Sequence, residues 1–339
     1  MKKLNLLTVV LATFVLCGNA QQRPHYTQYI LNNYILNPAL SGIENYTDIK
    51  ISGRNQWVGL NGAPQTFYLT VHGPLGKENY STSATSFEMP GENPRGRSYF
   101  ESYTAAPAHH GVGLTILNDK TGLFSRFTAD VSYAYHLGLN ANTNLAAGFS
   151  AGINRVGYDA SKAQFADPND PVLASNSGII NKIKPDLNIG LWLYSANYFI
   201  GLSAQQVIPQ KIKFSENSTE GSKQIPHLFA TAGYRFLLSD DINAIPSVML
   251  KYVSGSPTTP QVDLNLKLQY RDLIWVGGGY RYKDGYTAMV GVNMLNAFNV
   301  GYAYDFTNTP LKTVSHGTHE IIIGFLIGNN YSGKCPRCW

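Results

Sequence analysis

The residues best equipped for chemistry sit at the end of the chain, where Cys335 and Cys338 form a Cys-x-x-Cys pair followed by Trp339. Two thiols at that spacing can stay an internal or idle pair, form a disulfide or docking contact with a partner, or supply half of a tetrahedral zinc site whose other ligands come from elsewhere. A thioredoxin-type exchange site would need a βαβ setting, which the flanking sequence lacks. Gly148-Phe-Ser150-Ala-Gly152 has G-x-S-x-G spacing, but Ser150 falls inside an alternating segment and not on a strand-to-helix elbow. His316 and His319 are spaced as a ligand pair but flank a strand entry, and His109-His110 at another strand entry reads as solvated. Asp167, Asn169 and Asp170 offer oxygens without the remaining regular ligands of a calcium loop. No Gly-rich loop follows a strand and opens a helix. The expectation is a protein that is not an enzyme and has no cofactor and no metal.

What must position these residues is a set of strands. Gln261 to Tyr270 alternate polar and apolar without an error, so Val262, Leu264, Leu266, Leu268 and Tyr270 share one face, opposite Asp263, Asn265 and Lys267. A soluble sandwich turns the apolar face inward, whereas a membrane barrel turns it to lipid around a wet lumen. About fourteen such segments can be counted, with cores at 47–54, 65–73, 110–118, 125–138, 143–157, 185–195, 198–207, 226–237, 244–253, 260–270, 272–282, 286–294, 298–305 and 317–327. The even-numbered exits are short, at 139–142, 196–197, 271–272 and 296–297. Odd-numbered exits include the long stretches 158–184, 208–225 and 307–316. A sandwich gives no reason for that parity; a transmembrane antiparallel up-and-down β-barrel does.

Composition agrees. Only 14% of residues are charged against about 25% in soluble domains, and Tyr alone numbers 22. Lys2 and Lys3 precede an apolar run ending near Gly18-Asn19-Ala20, which reads as a signal peptide over 1–20; bulky Leu16 before Cys17 argues against lipidation. Removing both lysines lowers the net charge from +5 to +3 without a basic stripe, which disfavours nucleic acid as a partner. After residue 20 no apolar run is long enough for a spanning helix.

The expected organisation is therefore an N-terminal periplasmic or plug segment at 21–46, an outer-membrane barrel at 47–327, and a periplasmic tail at 328–339. An even strand count puts both termini in the periplasm. Residues 74–109 break the parity and read as an inserted flexible loop. Fourteen strands enclose a lumen that needs water or a plug, and 21–40 is too apolar for a free tail.

The most specific motif runs from Ser52 to Thr66 and contains Arg54, Gln56, Trp57, Gly59, Gly62 and Pro64. The glycines and Pro64 shape a tight loop between the first two strands, Arg54 and Gln56 can reach lumen or loop carbonyls, and Trp57 sits near an interface. The motif either packs the barrel mouth and anchors the N-terminal segment, or contacts a partner directly. With Asn37-Pro38-Ala-Leu-Ser-Gly42, Gln28-Tyr29, residues 111–122, Ser315-His-Gly-Thr-His-Glu-Ile-Ile and Cys335-Pro-Arg-Cys338-Trp, it resembles the PorP/SprF family of type IX secretion outer-membrane proteins of Bacteroidota. That resemblance implies non-enzymatic support of secretion, gliding motility or surface anchoring of a cargo adhesin. Its implied partners are the adhesin or its C-terminal domain, periplasmic ring and lipoprotein components of the machinery, and outer-membrane lipid. A passive porin is the competing transporter reading, permitted by Asp130, Asp186, Arg235, Asp263 and Lys267; a soluble secreted β-protein is the third.

Overall fold

The computed structural model describes residues 26–76, 93, 96–159, 161, 179–212, 222–253, 260–294 and 297–328. The strands are β1 (Thr47–Asn55), β2 (Gln65–Leu75), β3 (His109–Thr121), β4 (Phe124–Asn140), β5 (Thr143–Asp159), β6 (Ile179–Tyr194), β7 (Tyr198–Gln205), β8 (Gln210–Ile212) and β9 (Ser222–Gln224). They continue with β10 (His227–Tyr234), β11 (Phe236–Ser239), β12 (Ile242–Val253), β13 (Gln261–Tyr270), β14 (Ile274–Arg281), β15 (Gly285–Met294), β16 (Phe298–Thr307) and β17 (Thr318–Ile327). β8 and β9 pair only with each other, as a hairpin inside a loop. Each remaining strand is antiparallel to its neighbours, and β1 closes the wall on β17 with Thr47 opposite Ile327 and Asn55 opposite His319. Because β10 and β11 are two pieces of one stave, both lying on β12, the result is a closed barrel of 14 strands.

The break in that stave has a local cause. β10 and β11 stop on either side of Arg235, and Pro246 of β12 lies opposite the gap, between the pairings Gly233–Ser247 and Phe236–Ala244. Proline has no amide hydrogen to give a ladder, so pairing lapses there. Arg235 instead donates its backbone N–H to Asn197 O at 2.6 Å and its guanidinium to Ala196 O at 3.0 Å.

Alternation decides what the wall shows on each side. In β13, Leu264, Leu266, Leu268 and Tyr270 are exposed while Asp263 and Gln269 are buried. In β4, Val131, Tyr133, Tyr135 and Leu137 point outward, and Thr128, Asp130, Ser132, Ala134 and His136 point in. A continuous apolar exterior of this kind suits hydrocarbon, and the buried face is polar.

Connections differ at the two ends. Even-numbered exits at 141–142, 195–197, 240–241, 271–273 and 295–297 are short; odd-numbered exits at 56–64, 160–178, 206–226, 254–260 and 308–317 are longer. Two odd exits, 122–123 and 282–284, are also tight, with Gly122 and Lys283 at positive φ. The stretch 74–109, expected as a flexible insertion, gives its first residues to β2 and its last to β3. Between them a short helix α1 (Arg97–Ser102) and its flanks rest on the even-numbered turns. Asn93 Nδ2 donates to Asp240 O at 2.9 Å, Ala105 N to Ala141 O at 2.7 Å, and Ala106 exchanges two hydrogen bonds with the Asn144 side chain. The rest of that stretch, 77–92 with 94 and 95, lies outside the described residues.

The two-faced wall yields a direct expectation. Leu266→Arg, mid-stave on the apolar face, should destabilise the folded barrel by about 2–4 kcal/mol in denaturant titrations in lipid vesicles, far more than Lys267→Arg on the opposite face.

Candidate functional site: a filled lumen

The space inside the wall holds residues 26–46. Its backbone forms three short 3₁₀ turns, Gln28–Leu31, Asn33–Ile35 and Pro38–Leu40, each buried throughout. Tyr29, Ile30, Leu31, Ile35 and Leu36 pack against Phe229, Met249, Trp275 and Met289 from the wall, and Tyr26 meets Tyr68 edge-on at 5.5 Å. The hydrophobic positions of this segment are thus satisfied by the few large apolar residues that face inward.

The polar contacts fix its register. Near the odd-loop end, Arg54 donates from Nη1 to Glu320 Oε2 at 2.9 Å and to Thr27 Oγ1 at 2.7 Å, and from Nη2 to Asp305 Oδ2 at 2.8 Å. Glu320 accepts the backbone N–H groups of Thr27 and Gln28 at 2.8 and 3.2 Å, and Thr27 Oγ1 donates to Asp305 at 2.7 Å. Arg281 extends the network to Asp263 at 3.2 Å and Asp284 at 3.1 Å. Arg54 and Glu320 are almost completely enclosed, so each charge depends on its partners. Deeper in the lumen, Asn265 donates to Tyr29 Oη at 2.6 Å, and Gln205 donates to Ile35 O and Leu36 O.

At the even-turn end the Asn37–Gly42 motif is seated on the wall. Asn37 Oδ1 caps the turn over Pro38 by accepting from Ala39 N, while its Nδ2 donates to Leu191 O at 2.9 Å and Leu202 O at 3.2 Å. The wall makes room with glycine. A Cβ on Gly190 would lie 1.9 Å from Asn37 Oδ1, one on Gly148 2.7 Å from Ala39 Cα, and one on Gly111 1.8 Å from Ser41 O. Gly42 turns the chain out at φ 74°. His136 donates to Ser41 O at 2.7 Å, and His109, stacked on His136 at 4.4 Å, reaches Gly42 O at 3.2 Å. His109 was expected to be solvated; it is buried, with its ring stacked on His136 and its two nitrogens 3.2 Å from Gly42 O and 2.8 Å from Pro107 O.

The second motif builds the β1–β2 loop. Gln56 N donates to Pro64 O at 2.9 Å, Trp57 adopts φ 51°, and Gly59 and Gly62 also have positive φ. Val58 exchanges backbone hydrogen bonds with Gly317 and His316, and Gly122 N donates to Gly62 O, so this loop ties down both neighbouring connections. Gln56 and Trp57 line a pocket at this end together with Arg54, Asp284 and Asp305. Arg54 reaches carboxylates, where lumen or loop carbonyls were expected.

The remaining sequence candidates do not join this site. Ser150 is buried mid-β5 and accepts from Asn188 at 2.8 Å. His319 bonds Tyr302 on the outer side, and His316 packs beside Gly59. No cluster of metal-ligating side chains occurs among the described residues. Asp167, Asn169, Asp170, Cys335, Cys338 and Trp339 lie outside the described residues. Asp305, Glu320 and Thr27 were missed by sequence reasoning. For Asp305 and Glu320 the signal was inward parity on β16 and β17 and, for Glu320, its place in the Ser315–Ile322 stretch; Thr27 carried none.

Residues 18–325 match the model of the family described as type IX secretion system membrane protein PorP/SprF. The chain belongs to this family. Among curated proteins none matches. Solved structures with similar outlines include the outer membrane protein Omp33 of Acinetobacter baumannii, at 9% identity and TM-score 0.45 over 85% of this chain and 100% of that one. The CymD monoaromatic hydrocarbon channel aligns at 13% identity and TM-score 0.48 over 87% and 92%, and a FadL homologue of Pseudomonas aeruginosa at 8% and 0.45 over 85% and 92%. These likenesses are too low to transfer any activity. The PorP/SprF family and the barrel together point to the outer membrane, and to a secretion or structural membrane protein more than to an enzyme.

Removing Arg54 should expose how much rests on it. Arg54→Met leaves Asp305 and Glu320 buried without their shared counter-charge and should cost about 3–5 kcal/mol, read as a lower temperature for loss of the compact, heat-modifiable form on gels.

Proposed function

We propose that this protein is a plugged, non-enzymatic accessory barrel of the type IX machinery that holds a secreted or surface-anchored adhesin at its odd-loop end. Beneath the membrane, the even-turn end and the tail from Gly328 onward contact periplasmic ring and lipoprotein components. The single observation that carries the reading is the occupied lumen. A segment seated by glycine-width contacts and a buried ion network fills space through which a porin would conduct, and this supports the plugged reading. A barrel that conducts nothing is useful as a scaffold, and membership of the PorP/SprF family supplies the machinery it would serve.

The orientation follows the usual barrel rule, with short turns in the periplasm and longer loops outside. On that rule β17 delivers Gly328 to the periplasmic side. Tyr26, by contrast, lies at the level of Arg54 and Glu320 near the odd-loop end, because Thr27 and Gln28 supply the N–H groups that Glu320 accepts. The described residues of the N-terminal segment therefore run through the lumen from the odd-loop end toward the even-turn end before β1 begins, in keeping with the plug alternative.

Two measurements test this reading. In planar bilayers the purified protein should show little conductance; robust open-channel currents would favour the passive porin instead. In crosslinked pull-downs from native membranes, the full chain should recover a secreted protein together with ring components. Removing 329–339 should lose the ring components while the barrel stays heat-modifiable, and unchanged recovery counts against a docking tail.

A further inference from the structure

β6 is longer than the neighbour on one side. Its full length pairs with β5, from Ile179 opposite Asp159 to Tyr194 opposite Asn144, but its pairing with β7 covers only Ile189 to Tyr194. Past that point Leu187 O accepts from Val207 N, and Pro185 O accepts from the Gln210 side chain. Among the described residues, nothing hydrogen-bonds to the far edge of 179–184. Pro185 marks the start of the bare stretch, a residue that sheets tolerate only at an edge.

The side chains of this bare stretch define what would fit it. Ile179 and Ile183 are 66% and 65% exposed, on the face that continues into Ile189 and Leu191 of the apolar wall. Lys182 and Lys184 lie on the other face, in step with buried Asp186. Arg155, paired with Ile183 on β5, is exposed on the isoleucine face, over the Phe127 ring, so the lysines alone set the charge of the other face. Unsatisfied strand edges recruit strands. A second copy of this edge would bring lysines against lysines across the new ladder, which like-charge pairing disfavours.

We infer that the Ile179–Lys184 edge of β6 is a strand-addition site for an extended segment of a partner protein in which acidic and apolar residues alternate. Backbone hydrogen bonds would supply affinity, and acidic side chains opposite Lys182 and Lys184 would supply register and choice of partner. Apolar residues on the other face would cover Ile179 and Ile183. This rests on the proposed reading that the odd-numbered loops face outward and that the barrel captures a protein there.

The test uses the full-length protein in detergent and a biotinylated peptide, Thr-Glu-Val-Glu-Val-Glu-Thr, with a counterpart carrying Lys for each Glu. The acidic peptide should bind, the basic one should not, and K182E/K184E should weaken acidic-peptide binding about tenfold or more while gaining the basic peptide. Equal binding of both peptides, binding of neither, or indifference to K182E/K184E overturns the inference. Heat-modifiability verifies that the variant folds, and if it does not, the peptide comparison on the wild-type chain still decides. In native-membrane pull-downs, unchanged partner recovery by a folded K182E/K184E variant sinks the edge site and leaves the broader function standing. Failure of the wild-type chain to recover any secreted protein counts against the broader function instead.

Discussion

The interaction on which the rest depends is the grip of Arg54 on Glu320 and Asp305 inside the lumen. A wall of 14 strands encloses more space than its own inward side chains fill, and that wall is studded with carboxylates, amides and guanidinium groups. Buried charge is tolerable only when paired and hydrogen-bonded. Arg54 neutralises two carboxylates that arrive from β16 and β17, and Glu320 then orients the amides of Thr27 and Gln28. One guanidinium thus joins the first stave, the last two staves and the plug. Barrel closure completes the seat of the Thr27–Gln28 end of the plug.

Much of the wall could be read from sequence, and the reasons are physical. β13 is legible because a half-buried strand must alternate, and Gln261 to Tyr270 do so without interruption. The outer half of β6 was not, since Pro185 and the run Asn181-Lys182-Ile183-Lys184 look like loop; the pairing with β5 overrides local preference there. The break at Arg235 escaped notice because its cause, Pro246, sits on the adjacent stave and not in the same segment.

The candidate site divides similarly. Arg54, Gly59 and Gly62 stood out because a fixed charge and a tight loop each demand particular residue types, whereas Asn37 and Gly42 stood out through the family motif, and their capping and positive φ came from the structure. What those residues meet was hidden, because Gly111, Gly148 and Gly190 matter only through the approach of a segment far away in the chain. No local pattern announces that a wall glycine is there to admit someone else's backbone. The path of 26–46 from the odd-loop end downward was equally invisible, since it is set by Glu320 nearly three hundred residues later.

That sequence separation bears on how the molecule is made. Thr27 and Glu320 lie 293 residues apart, so the first described residues of the plug cannot reach their final partner until the two ends of the wall have come together. Contacts this distant are slow to form, because loop closure must be met before they reward it. The glycine seat on β3, β5 and β6 lies much nearer in the chain, so the Asn37–Gly42 end can dock before the β1–β17 seam closes. Assembly would then finish at the β1–β17 seam, with the last strand sealing a passage that was already occupied.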